Sequence, residues 1–168
     1  MPVTGGPRSA GQGSVIETEV PAQVAALELL GHVDYSDAFS TRARTRRAPE
    51  GLLRDVLEGA PAWFLRTWST VIFKGVLGLR LDMEHSPDRI AGWQLVADDG
   101  HIVAIGFDSP RGAKARLFAT VSGDTEIVGT LVQLDSRRAK LGWPIIRVGH
   151  RFFLPYLLRR SSARISRE

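Results

Sequence analysis

Four histidines, His32, His85, His101 and His150, are the side chains of this 168-residue chain whose ordinary titration range suits proton transfer near neutral pH. None has a second histidine at the His-x-x-x-His spacing with which a helix grips zinc. The absence of cysteine removes disulfides, thiolate metal sites and Cys nucleophiles. No cofactor is expected, and a zinc site assembled across strands is the minor alternative. His150 stands apart because it lies inside the apolar segment 143–158, between Arg147 and Arg151. An imidazole at the edge of an apolar helix face can serve as acid or base toward a bound substrate. His150 and Asp108 are the candidate catalytic residues, and Gln94, Thr130 and Gln133 are further polar positions on neighbouring strands. Hydrogen bonding of His150 to a backbone group at the rim is the plainer alternative. Arg147 and Arg151 are candidates to anchor an anionic head group, against simple solvation or pairing with Asp82 or Glu84. No phosphate loop is present: Gly11-Gln12-Gly13 lacks the third glycine of a dinucleotide fingerprint, and there is no Walker loop or Gly-x-Ser-x-Gly elbow.

These residues need elements to position them. Pro144 suits the first turn of a helix, and on a helical wheel Ile145, Ile146, Gly149, Phe152, Phe153, Tyr156 and Leu157 form one wide apolar face. Pro155 is expected to kink or end this helix near residues 151–154. Upstream, 22–30 reads as a short helix. Arg42, Arg44 and Arg46 alternate with Ala43 and Thr45, which predicts a strand over 40–46 with one wet face, suited to an edge. Helices are predicted from Pro49 to Gly59 and from Pro61 to Gly75. From Gly78 the pattern changes to strands: 79–85, 90–97, 101–108, 114–121 and 126–134. They are separated by turn sequences that include Asp98-Asp99-Gly100, Ser109-Pro110-Arg111-Gly112 and Ser122-Gly123-Asp124. Short turns make this an antiparallel meander, and the class is α+β with helices on one face of the sheet.

Composition sets the outer limits. One domain is expected over 15–163, preceded by a Gly/Pro/Ser-rich flexible tail at 1–14 and followed by a basic tail at 164–168. Residues 1–13 lack the apolar core of a signal peptide, and no run reaches the roughly 18 apolar residues of a membrane span. A cytoplasmic location fits both, and fits the lack of cysteine. Charge is uneven: nine Arg or Lys and one acidic residue from Arg137 onward give +8, so the total of +4 leaves −4 for residues 1–136. A solvated Arg-rich face is the simplest account. Nucleic acid ranks below it, because no stacking aromatics interleave with the charges.

The order strand, two helices, meander and long C-terminal helix resembles the helix-grip fold of the START-like superfamily, the lipid-transfer, birch-pollen-allergen and polyketide-cyclase relatives. Locally, Asp34-Tyr35-Ser36-Asp37-Ala38-Phe39, Gly59-Ala60-Pro61-Ala62-Trp63 and the segment His150–Arg160 look like an uncharacterised bacterial family placed beside it. The resemblance implies a curved antiparallel sheet gripping the C-terminal helix. Trp63, Trp68, Phe73, Trp93, Phe118, Ile146, Phe153 and Leu157, with Arg147 at the rim, are the residues expected around a ligand cavity. The leading expectation is a carrier of an apolar or amphipathic small molecule. A cyclase or isomerase using His150 in the same cavity is the second, and a module whose basic C-terminal region meets an anionic surface or a partner is the third. A homodimer is left open.

Overall fold

The computed structural model describes residues 14–43, 47–81 and 86–165. It is an α+β structure in which seven antiparallel strands form one sheet and a long C-terminal helix lies across it. The elements in chain order are β1 (Ile16–Thr18), α1 (Ala22–Ala25), β2 (Tyr35–Arg42), α2 (Pro49–Leu57), α3 (Ala62–Thr67), a π-helical segment (Trp68–Leu77), β3 (Arg89–Ile90), β4 (Trp93–Asp98), β5 (Ile102–Asp108), β6 (Ala113–Ser122), β7 (Thr125–Leu134) and α4 (Arg137–Ile165). The strand order is β1-β2-β7-β6-β5-β4-β3, so the first long strand closes against the last.

The meander forms where turn chemistry predicted it. Gly100, Gly112 and Gly123 take positive φ at its reversals. The first hairpin was not visible in the sequence: Ala91 (φ 50°) and Gly92 (φ 81°) make a two-residue turn between Ile90 and Trp93, splitting the strand predicted over 90–97. The predicted strand over 79–85 is not formed across its described residues, 79–81; the remainder lies outside the described residues.

Three further expectations are corrected. Strand β2 begins at Tyr35 and is internal, paired with both β1 and β7, and β1 takes the edge; Arg44 and Arg46 lie outside the described residues. The helix expected from Pro61 to Gly75 is a short α3 that runs on into the π-helical segment. Gly78 (φ 70°) caps that segment's end, where Ser109 Oγ and the Arg111 guanidinium take its last carbonyls. Helix α4 starts seven residues before Pro144, with Ser136 Oγ accepting the Ala139 N–H at 3.0 Å as its cap. It continues through Pro155 to Ile165, so Arg164 is helical and donates to the Asp55 carbonyl at 2.9 Å. Pro144 is exposed and Pro155 half-buried, and each removes one backbone hydrogen bond without ending the helix.

Both faces of the sheet are covered. Helices α2, α3 and α4 and the π-helical segment pack on one, burying Leu52, Leu53, Phe64, Phe73, Leu117, Leu154 and Leu158. On the other, Val20, Val24, Leu29 and Leu30 cover Ala38, Ile102, Ala104, Phe118 and Leu131. This is why 102–107 is apolar on both sides. One ion-pair network ties the layers together. Arg47 donates from Nε and Nη2 to the fully buried Glu126 of β7 at 2.6 and 2.8 Å, and from Nη1 to Asp55 of α2 at 2.7 Å and to Ser161 of α4 at 2.9 Å.

Candidate functional site

A cavity of about 280 Å³ lies between the sheet and α4, closed on one side by α3 and the π-helical segment. Its walls are mostly apolar. Strand positions Phe107, Ala113, Ala115, Leu117 and Val132 face it, while Trp68, Ile72, Phe73 and Leu77 meet it from the π-helical segment. Trp143, Ile146, His150, Phe153, Leu154 and Leu157 face it from α4. A π-helical stretch is uncommon and is found disproportionately at functional sites; here it carries four of the large apolar side chains of the wall. Gly149 sets how closely that segment approaches α4, because a Cβ on it would stand 2.9 Å from the Trp68 ring.

Of the residues expected around a cavity, Trp68, Phe73, Trp93, Ile146, Phe153 and Leu157 line it. Three do not. Trp63 is exposed and packs against Phe153 from outside, with ring centroids 6.3 Å apart. Phe118 is fully buried on the opposite face of the sheet, because the wall uses Ala113, Ala115 and Leu117 and successive side chains alternate. Arg147 projects to solvent. Asp108 is also removed from the site. Its neighbour Phe107 faces the cavity, so Asp108 turns outward and pairs with Arg116 Nη1 at 2.8 Å. Gln94 is exposed, and Gln133 points away to the Gly31 N–H and Asp135. Arg151 pairs with Glu17 at 2.8 Å; Asp82 and Glu84 lie outside the described residues.

The polar end of the cavity is built around His150. Its Nε2 lies 2.9 Å from Thr130 Oγ1 and 3.2 Å from Asp37 Oδ2. Asp37 and Thr130 are direct partners across β2 and β7, which places both side chains under the same turn of α4. Tyr35, two residues before Asp37 and hence on the same face, donates its hydroxyl to Asp37 Oδ2 at 2.7 Å. Its ring packs at a tilt against Trp143, with centroids 5.0 Å apart, and stands edge-on to His150 at 6.5 Å. The Asp37 side chain is only 1% exposed. Burial pushes its carboxyl up. The hydrogen bond and charge of His150, with the hydroxyls of Tyr35 and Thr130, outweigh that and hold it below the usual carboxylate range. Burial, then the bond to Asp37 and its charge, push the Tyr35 phenol well above its ordinary range, so it stays a donor.

An ionised carboxylate only accepts, so Asp37 fixes the His150 proton on Nε2. Nδ1, which has no hydrogen-bond partner among the described residues, is then the basic nitrogen of the neutral ring. Tyr35 and Asp37 were visible in the sequence only inside a family-like segment. The signal that points to chemistry is the Tyr-x-Asp spacing on a strand, which puts both polar groups on one buried face. Among the described residues no group of three His, Asp or Glu side chains is placed to hold a metal ion. No helix is long and apolar enough to cross a membrane among those residues.

Comparison with protein-family models, curated proteins and solved structures returned no match.

Proposed function

We propose that the chain binds an apolar or amphipathic small molecule, lipid- or polyketide-like, in the cavity between sheet and α4, as the START-like carriers it resembles do. The observation that carries this reading is the cavity itself. A well-packed interior holds few voids larger than a water molecule, whereas this one leaves about 280 Å³ beneath α4. Apolar walls with a few convergent polar groups are the usual make-up of small-molecule sites. The volume sits at the small end of such sites, which suits a slender ligand with one polar group near His150 and Thr130. Native mass spectrometry of the gently purified chain tests this. The expected result is an added mass released by organic solvent, one per chain; a bare mass that fatty acids or isoprenoids do not change would count against it.

The second reading is an enzyme, a cyclase or isomerase, in the same cavity. It is favoured by one arrangement: a buried carboxylate orients the ring of His150, as an acid/base histidine requires. Substituting His150→Ala should leave ligand affinity within a few-fold. Conversion of the co-purified ligand should fall roughly 10²-fold or more if His150 transfers a proton. Equal conversion by both proteins would leave the carrier reading alone.

A further inference from the structure

The outer side of α4 carries an apolar stripe that the fold leaves uncovered. Leu141, Ile145, Val148, Phe152 and Tyr156 recur three or four residues apart, so they share one side of the helix. Their exposure runs from 38% at Tyr156 to 80% at Leu141. At 1.5 Å per residue the stripe extends about 22 Å. The opposite side of the same helix buries Ile146, Leu154, Leu157 and Leu158 in the core. A helix that is apolar on two sides needs two partners, and the fold supplies one.

Charge selects the second. Helix α4 holds eight Arg or Lys and no Asp or Glu. Arg137 and Arg138 precede the stripe and Arg159 and Arg160 follow it; all four are exposed and make no ion pair among the described residues. A second copy of this chain would bring the same positive helix against itself, with nothing acidic on the stripe to offset it. An anionic lipid surface offers negative head groups and an apolar phase at once, which is what an interfacial helix with basic flanks matches. The stripe is also continuous with the cavity wall. Phe152 packs edge-on against Phe153 at 5.5 Å, and Phe153 lines the cavity.

We propose that the chain docks on anionic membranes through the outer side of α4, with the apolar stripe in the headgroup–acyl boundary and the flanking arginines on lipid head groups. This stands on a surface separate from the cavity, so it survives if no ligand is found there. The test is flotation of the full chain with phosphatidylcholine vesicles and with vesicles of phosphatidylcholine mixed with phosphatidylglycerol. Binding is expected on the anionic vesicles only, weakening as salt is raised. Ile145→Glu and Phe152→Ser should each lower it roughly tenfold or more, with unchanged thermal unfolding, since both side chains are exposed. Absence of flotation, or flotation indifferent to both substitutions, overturns the proposal. So does a solution dimer that Ile145→Glu dissociates without any vesicle binding, which would make the stripe an interface between copies. DNA retention that the same substitutions abolish, again without vesicle binding, overturns it in favour of nucleic acid.

Discussion

Asp37 is the residue on which the polar end of the cavity depends, and Asp37→Asn isolates its charge. The asparagine keeps one acceptor for the Tyr35 hydroxyl, now 2.7 Å from the carboxylate. Its amide nitrogen, however, turns a donor toward His150 Nε2–H and the Thr130 hydroxyl, which already donate there. Buried hydrogen bonds to a charged group contribute about 1.5–3 kcal/mol, so the variant should lose about 2–3 kcal/mol at neutral pH. For a chain of this length that is a fall in Tm of very roughly 4–12 °C. The pH dependence carries a sign. The folded carboxyl titrates below the unfolded value of about 3.9, so its stabilisation is complete above that value and is lost as pH falls through the folded pKa. Urea denaturation of both proteins from about pH 7 down to about pH 3 measures this. A gap that is constant over the whole range, or that closes already above about pH 5, would refute the assigned ionisation of Asp37.

Three other outcomes follow from single contacts. Arg47→Met strands the fully buried Glu126 and should cost about 3–5 kcal/mol in chemical denaturation, while the double variant Arg47→Met, Glu126→Leu should recover most of it. Gly129→Ala places a Cβ 2.4 Å from the Asp37 carbonyl and 2.5 Å from Phe118 Cζ, both fixed within the sheet, and should destabilise by about 1–3 kcal/mol by the same measurement. Gly149→Ala places a Cβ 2.9 Å from the Trp68 ring, so it should cost about 1–3 kcal/mol, shift tryptophan emission and weaken ligand binding.

The meander and its partner helix were legible because turn residues and strand alternation are local signals. Asp99-Gly100 and Gly123-Asp124 mark reversals whatever surrounds them. What failed was decided by neighbours. The parity of 102–107 could not be read, since residues 20–30 cover the far face, where Phe118 is buried away from the cavity. On α4 the sequence shows one broad apolar face, but the fold buries Ile146, Leu154 and Leu158 and leaves Ile145 and Phe152 outside, a rotation set by Trp68 against Gly149 and by the arginine network at Ser161. Ala91 at positive φ gives no sequence signal of a hairpin. His150 lines the cavity. Its partner is Asp37 rather than Asp108, because β2 pairs with β7 at Thr130, a long-range contact that no spacing in the chain announces.

Occupation of the space beneath α4 by a small apolar ligand can be measured in solution. The direct measurement is a titration with a fluorescent polyene fatty acid, followed by energy transfer from Trp68 and Trp93, which line the wall. It should be run on the wild type and on Ala115→Phe, whose ring would occupy the void from β6. Saturable binding at one per chain is expected in the wild type and loss of transfer in the variant, with cooperative thermal unfolding kept in both. Equal transfer in the two proteins, or none in either, would contradict it.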